Sequence, residues 1–258
     1  MSDRAGVFAY HDGDHQGRVV AVNAHRTIIG AAAALLFSLP APAWAARIAV
    51  IGTGDVAAAL GPEFAALGHT IVYGSRDPAR QEVTDLVART GNGASAAAQR
   101  DAVRNAEIVV LAVPGNVAEQ VTRALGDLSG KIILDPTNRV ARTDDGWANH
   151  DVPGKGSNAE LIQAAAPNAR VVKAFNTLNW RQMVDPETSG GPITIAIAGD
   201  DAAAKAVVAE LITGMGLETI DFGPLRYAHV LEEMLIVWAN GRSHGQPFNW
   251  YLRPQPAN

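Results

Sequence analysis

The sequence predicts an α/β fold in which helices cover both faces of a parallel sheet. Short apolar runs alternate with alanine-rich helical stretches from Arg47 onward. The runs are apolar on consecutive residues, which is typical of strands buried on both faces. The spacing leaves room for one helix between runs, as a doubly wound sheet requires. Six strands are expected in this region: Ile48–Ile51, Ile71–Tyr73, Ile108–Val113, Ile132–Leu134, Val171–Val172 and Ile193–Ala198.

Composition limits the classes of function. The chain has 258 residues and 48% hydrophobic content, enough to bury a full core. Its net charge of −5 gives no support to a nucleic-acid or membrane-surface partner. There is no cysteine, which excludes disulfides, thiolate catalysis and zinc–thiolate sites.

Residues 1–45 differ from the rest of the chain. An apolar run, Ile28–Leu39, follows the lone Arg26 and precedes Ala43-Trp44-Ala45, which favours a secretory signal peptide cleaved after Ala45. The run is shorter than the roughly 20 residues of a membrane span, so no stable span is expected after cleavage. The alternative is a disordered tail joined to an uncleaved apolar anchor. A start codon assigned too early would explain the long region that precedes the signal peptide. Cleavage predicts an exported or periplasmic protein, and an intact N-terminus a cytoplasmic one.

The first strand–turn–helix carries a dinucleotide-binding pattern. Residues 52–57 read G-x-G-x-x-A directly after the first strand, and the predicted helix runs through Leu67. Gly52 permits a tight turn, and Gly54 lets a pyrophosphate approach the backbone at the helix N-terminus. Ala57 still allows close packing of helix against strand. Because a second strand follows about 20 residues on, the pattern predicts a Rossmann-type domain.

The end of the second strand favours NADP over NAD. Enzymes that bind NAD usually place an acidic residue there, on the ribose hydroxyls. Here Ser75 can donate to a 2′-phosphate, Arg76 can pair with it, and Arg80 follows one helical turn later. The nearby Asp77 precedes Pro78 and is interpreted as the N-cap of the next helix.

The C-terminal part is predicted to form a second, small α/β domain. We place the NADP-binding domain at residues 46–180 and the small domain at residues 181–258. In the latter, Asp200-Asp201 should cap the helix Ala202–Met215, followed by a strand, Leu217–Phe222, and a helix through Val237. Four aromatic residues near the end fit either core packing or a functional role as an acceptor wall or dimer contact: Trp238, Phe248, Trp250 and Tyr251.

Several segments resemble the NADPH-dependent reductases of coenzyme F420, and the related NADP-binding domain of six-transmembrane metalloreductases. The resemblance covers about residues 47–253 and is most specific in Val171–Leu178, which reads Val-Val-Lys-Ala-Phe-Asn-Thr-Leu. The other matching segments are Ile48–Pro78, Ala106–Pro114, Asp135–Asn138, Ala198–Asp201, Gly223–Leu225, Leu231-Glu232 and Phe248–Arg253.

The resemblance implies a site for NADP(H) and a hydride acceptor. It implies NADP contacts at Thr53, Ser75, Arg76 and Arg80, and it places the strand ends Val113-Pro114 and Asn176-Thr177 beside the nicotinamide. Asn176 would hold the nicotinamide amide or ribose, while Pro114 and Phe175 would pack against the ring. With the glycine motif, the predicted cofactor-binding set is Gly52, Thr53, Gly54, Asp55, Val56, Ser75, Arg76, Arg80, Val113, Pro114, Asn176 and Thr177.

No catalytic acid or base is assigned. Hydride transfer needs positioning of the two rings more than proton transfer by the protein. Lys173 is a candidate proton donor, although a charge at a strand end is more often structural. His229 and Glu232, three residues apart, are interpreted as a solvated or interdomain pair. His69, His150 and His244 lack the spacing of metal ligands, so no metal site is predicted.

Three functions remain open. The first is reduction of a small-molecule acceptor, a deazaflavin such as coenzyme F420 or a flavin, by NADPH. The second is delivery of hydride through a flavin to ferric or cupric ion. The third is an NADP-binding module without catalytic activity. The resemblance also leaves open a homodimer formed through the C-terminal region.

Overall fold

The structure is a computed structural model that describes residues 44–154, 156–185, 187, 193–249 and 251–253. The predicted signal peptide lies outside the described residues except for Trp44 and Ala45, and Trp250 also lies outside them. Trp44 packs against the core, and the backbone N–H of Ala46 donates to Nδ1 of His69 at 3.1 Å. Within the described part of the chain, no helix has both the length and the apolarity needed to cross a membrane.

Among the described residues, one sheet contains eight strands: β1 Arg47–Ile51, β2 Thr70–Ser75, β3 Ser95–Ala98, β4 Ile108–Leu111, β5 Ile132–Asp135, β8 Arg170–Lys173, β9 Thr194–Gly199 and β10 Glu218–Asp221. Their order across the sheet is β10-β9-β8-β5-β4-β1-β2-β3. The pairings are parallel except that of β8 with β9. The strand order reverses between β1 and β4, which is where ligands bind in open α/β sheets.

Helices cover both faces of the sheet, as predicted. In β1, Ile48 and Val50 point into one apolar layer, and Ala49 and Ile51 point into the other. This alternation explains why the four residues of β1 after Arg47 are all apolar. The helices are α1 Asp55–Ala66, α2 Gln81–Thr90, α3 Gln99–Ala102, α4 Gly115–Ala124, α5 Asn158–Ala165, α6 Trp180–Val184, α7 Ala202–Gly214 and α8 Ala228–Ser243.

The segment after residue 180 extends the same sheet. Its strand β9 pairs with β8, and β10 pairs with β9. The predicted helix cap is present, because Oδ1 of Asp201 accepts the N–H of Ala204 at 2.7 Å. Helix α8 then returns to the other strands and buries Leu231 and Glu232. The residues assigned to a small C-terminal domain therefore share a sheet with the first domain.

A hairpin that the sequence analysis did not identify lies against α8. Its antiparallel strands are β6 Val140–Arg142 and β7 Ala148–His150. The side chain of Asn240 on α8 accepts from the N–H of Ala148 at 2.6 Å and donates to its carbonyl oxygen at 3.0 Å. Two hydrogen bonds from one side chain thus fix the hairpin to the C-terminal helix.

Candidate functional site

A cavity of about 920 Å³ opens at the carboxyl ends of β1, β2 and β4. It lies where the strand order reverses, the position expected for a ligand in this fold. Predicted cofactor-binding residues that line it are Gly52, Thr53, Gly54, Ser75, Arg76, Arg80, Val113 and Pro114. The structure therefore brings together residues from three separate strand ends.

The two glycines of the turn have different environments. Gly52 has φ +113°, and a Cβ there would overlap the carbonyl oxygen of Ala112 in the turn after β4. At Gly54, no atom of the described residues other than its chain neighbours lies within 4 Å of the position where a Cβ would stand. Helix α1 starts at Asp55 without a side-chain cap, so its first N–H groups remain for a ligand. Asp55 and Val56 form its first turn and lie outside the set that lines the cavity.

The end of β2 places positive charge at the cavity wall. Arg76 is exposed and, within the described ranges, forms no ion pair. The guanidinium of Arg80 lies 3.4 Å from the Thr53 hydroxyl and 3.1 Å from the Glu82 carboxylate. The Ser75 hydroxyl bonds within its own loop, to the backbone of Asp77.

The interpretation of Asp77 as a helix N-cap is wrong. Its Oδ1 accepts the N–H of Ala79 at 3.2 Å and so stabilises a turn, and helix α2 begins only at Gln81. The side chain of an Asp can close such a turn without a helix following it. The intervening loop lets Arg80 reach back to Thr53.

Eight lining residues are absent from the predicted cofactor-binding set. Three of them lie beside predicted residues in the loops after β2 and β4 or at the end of β2: Gly74, Asp77 and Ala112. The other five are Gln99, Val117, Gln120, Val121 and Ala124. Gln99 begins α3, and the others follow one face of α4. Their spacing of three or four residues along α4 is that of a single helix face, but a face lining a cavity has the same pattern as one facing a core.

The strand end at Asn176-Thr177 does not line this cavity. Asn176 is buried, and its side-chain amide donates to Oδ1 of Asn138 at 3.0 Å and to the carbonyl of Leu231 at 2.8 Å. Thr177 lines a separate pocket of about 100 Å³ with Met234 and Tyr251. Phe175, expected against the nicotinamide, is 1% exposed and belongs to the core.

A buried charge network lies at the ends of β5 and β8. The ammonium of Lys173 is 3.0 Å from Oδ2 of Asp135 and 2.6 Å from Oε1 of Glu232, and it also donates to the carbonyl of Thr137. All three charged side chains are fully buried. His150 joins the network through Nε2, 2.8 Å from Oε2 of Glu232.

The proposed His229–Glu232 pair is wrong. The imidazole of His229 contacts the carbonyl of Arg226, whereas Glu232 points into the network. Burial raises the pKa of Glu232, but the Lys173 ammonium and hydrogen bonds from Asn158 and His150 outweigh burial and hold that pKa below its ordinary value. The i, i+3 spacing placed the two residues near one another but could not show which one faces the core.

Comparison with known proteins places these features in a family. Residues 47–139 match the family model described as NADP oxidoreductase, coenzyme F420-dependent. The F420-dependent NADP reductase of Methanothermobacter thermautotrophicus is 30% identical over 202 residues, which cover 73% of this chain and 85% of that protein. A solved structure from Arthrobacter sp. FB24, proposed to be an F420-dependent NADP reductase, aligns with a TM-score of 0.74 and 32% identity. That alignment covers 81% of this chain and 99% of the other.

A second group of relatives is longer. Metalloreductase STEAP3 of Rattus norvegicus is 30% identical over 192 residues, which cover 74% of this chain. The match spans only 36% of the metalloreductase. The strand order, the cavity at its reversal point and these likenesses agree with one another: the chain belongs to the family of coenzyme F420-dependent NADP oxidoreductases.

Proposed function

We propose that the chain binds NADPH in the 920 Å³ cavity and transfers its hydride to a deazaflavin or flavin-type acceptor. The observation that carries the proposal is the difference between the two ends of the cavity, one of which is positively charged and the other apolar. Arg76 and Arg80 follow β2, on one side of β1, and the apolar Val113-Pro114 follow β4, on the other side of β1, so they lie towards opposite ends of the cavity. The arginine end suits a 2′-phosphate, and the apolar end suits a nicotinamide. The glycine turn lies between them.

The residues at the phosphate end fit the charge of NADP. Arg76 has no competing carboxylate within the described residues, so it can pair with a phosphate. Arg80 shares its charge with Glu82, but both side chains are more than half exposed, and such a pair costs little to break. The uncapped start of α1 and the open space at Gly54 favour a pyrophosphate at the turn.

The residues at the apolar end of the cavity form the surface against which the nicotinamide ring would pack. When bound, the nicotinamide would supply the hydride, and Val113 and Pro114 would hold its ring at the cavity wall. Val117 and Val121 on α4 extend the apolar surface and exclude water. Such a site works by holding two flat rings face to face, so it requires no acid or base from the protein.

Flavin-mediated reduction of a metal ion is the second candidate. The likeness to metalloreductase STEAP3 favours it, although the chain spans about a third of that protein's length. Reduction of ferric chelate that depends on added FMN would support this alternative. NADPH binding without turnover of any acceptor would instead support a binding module.

Arg76→Glu is expected to weaken NADPH binding by about 100-fold, because it removes a charge-assisted bond and adds repulsion of the 2′-phosphate. NADH lacks that phosphate, and a carboxylate at this position can accept its ribose hydroxyls, so the affinity for NADH should not fall. Titration of intrinsic fluorescence with each nucleotide measures both affinities. Turnover is followed as NADPH-dependent loss of the visible absorption of oxidised deazaflavin, with FMN and ferric chelate in parallel.

The control is Arg89→Glu, which reverses an exposed charge in the last turn of α2, away from the residues that line the cavity. It should bind NADPH like the unaltered chain. Equal losses of NADPH affinity in both variants would contradict a 2′-phosphate site at Arg76. Equal losses of affinity for NADPH and NADH in Arg76→Glu would contradict it too.

A further inference from the structure

Glu232 is a buried carboxylate that the proposed hydride transfer does not use. It lies on α8, and both of its oxygens are engaged. Oε1 is 2.6 Å from the Lys173 ammonium, and Oε2 accepts the N–H of Asn158 at 2.9 Å and lies 2.8 Å from His150. Oε1 also accepts the N–H of Ala159 at 3.3 Å. One side chain therefore links α8, β8, β7 and the start of α5.

The first link leads from Glu232 to the cavity wall. Asn158, whose N–H it accepts, donates from Nδ2 to the carbonyl of Gly115 at 3.1 Å and to the hydroxyl of Thr137 at 2.7 Å. Gly115 directly follows Pro114, which lines the apolar end of the cavity. A shift of Asn158 would therefore move the backbone at that end.

A second link uses the loop after β5. Lys173, held by Glu232, donates to the carbonyl of Thr137, and Asp135 accepts the N–H and O–H of Thr137 at 2.8 and 2.6 Å. The next residue, Asn138, packs so closely on Gly115 that a Cβ at Gly115 would overlap the Asn138 carbonyl. Two separate sets of contacts, one through Asn158 and one through the loop after β5, therefore hold the backbone at the apolar end of the cavity in place.

Both links lead to one end of the site. Neither reaches Arg76 or Arg80, which belong to the loop after β2 on the other side of the switch point. The position of Glu232 at the junction of the two links distinguishes it from an ordinary ion pair, which would join only two elements.

We propose that Glu232 is a positioning residue that fixes the nicotinamide end of the cavity through Asn158 and Lys173. The inference rests on the proposed function, since it assigns the nicotinamide to the Val113-Pro114 end. Its carboxylate is required as a charge, because Lys173 and two backbone N–H groups converge on it.

The test separates the two ends of the ligand. NADPH occupies both ends, whereas adenosine 2′,5′-bisphosphate carries only the adenine and 2′-phosphate half. Glu232→Gln is expected to weaken NADPH binding by about tenfold and to lower kcat with deazaflavin by about 100-fold. Its affinity for adenosine 2′,5′-bisphosphate should equal that of the unaltered chain. Calorimetric titration of the full chain with each nucleotide gives both affinities.

The neighbouring Glu233→Gln is the matched control, because Glu233 is exposed on the same helix. It should change neither affinity nor kcat. Glu232→Asp, which keeps the charge, should recover part of the lost kcat. An equal loss of affinity for both nucleotides in Glu232→Gln, or no loss for either, would overturn the positioning role. The proposed function would still be supported in that case by NADPH binding to the unaltered chain. Failure of the unaltered chain to bind NADPH would overturn both.

A second variant keeps the test informative if Glu232→Gln does not fold. Asn158→Leu has a similar volume and removes the bonds to Gly115 and Thr137, while the Glu232–Lys173 pair and the backbone N–H of residue 158 remain. We expect the affinity for NADPH to fall and the affinity for adenosine 2′,5′-bisphosphate to stay the same, as in Glu232→Gln. Unchanged NADPH affinity and kcat in this variant would overturn the link from Glu232 to the cavity.

Discussion

Lys173→Met is expected to lower the free energy of unfolding by about 3–5 kcal/mol, because it leaves buried carboxylates without their cation. Lys173 is fully buried between Asp135 and Glu232. Methionine approximates the length and volume of the lysine stem, so the loss reports the missing charge and not a cavity. Urea denaturation of the full chain, followed by circular dichroism at pH 7, measures it.

The loss should depend on pH. In the unaltered chain the pKa of Glu232 is held below its ordinary value of 4.5, so its stabilising contribution is present above pH 4.5 and is lost as pH falls through the lowered pKa. Without Lys173, burial dominates and raises the pKa of Glu232 above 4.5. The folded variant then takes up a proton more readily than the unfolded chain, and its deficit shrinks as pH falls from 7 toward 5.

Lys205→Met is the matched control. Lys205 pairs with Asp221 at 2.7 Å, but the Asp221 side chain is 52% exposed. The Lys205 side chain is 14% exposed, so the pair is solvated mainly at its carboxylate. A pair solvated in this way is worth about 1 kcal/mol, so this variant should lose far less stability than Lys173→Met. Equal destabilisation by the two substitutions, or a deficit at Lys173 that is constant between pH 5 and 7, would contradict the buried-charge explanation.

Gly52→Ala is expected to cost about 3–5 kcal/mol of folding free energy, from backbone strain together with overpacking. The backbone there has φ +113°, and a methyl group would overlap the carbonyl oxygen of Ala112. Neither the turn after β1 nor the turn after β4 can move without disturbing the sheet. Thermal unfolding of the full chain without nucleotide measures the cost.

Gly54→Ala is the contrasting substitution, two residues away. Within the part of the chain that the structure describes, its Cβ would meet no atom within 4 Å beyond its chain neighbours. The loss of stability should therefore stay below about 1 kcal/mol, the cost of Ala in place of Gly at an N-cap. The added methyl group would occupy the space through which a pyrophosphate approaches the backbone. We expect weaker NADPH binding with nearly normal unfolding. The reverse pattern, a stable Gly52→Ala and an unstable Gly54→Ala, would show that the roles of the glycines are misassigned.

The parts of the fold that were predicted correctly are those with strong local patterns. The apolar runs of β1 and β4 and the helix after Gly54 follow from residue type and spacing alone. Strand β3 was missed because Ser95–Ala98 is rich in alanine, which favours a helix, and only pairing with β2 makes it a strand. The strand predicted to run through Val113 ends at Leu111, and Ala112 and Val113 turn over the cavity.

The candidate site shows the same division. The glycine turn and the arginines after β2, which line the candidate cavity, were predicted from sequence, because the pattern for a phosphate-binding turn involves consecutive backbone and nearby side chains. The network of Glu232 was not identified. Lys173 lies 38 positions after Asp135, and Glu232 lies 59 positions after Lys173. No local spacing in the sequence relates the three residues.

The sequence by itself determined the parallel sheet, and it predicted a dinucleotide-binding turn and a preference for a 2′-phosphate, since each depends on short stretches with their own conformational and charge preferences. Only the tertiary structure decided which side chains face one another. It turned Glu232 away from His229 and toward Lys173, and it buried Asn176 against Leu231. The physical reason is that burial and partner choice depend on how distant elements pack, and on the high free-energy cost of leaving a buried charge or amide unpaired.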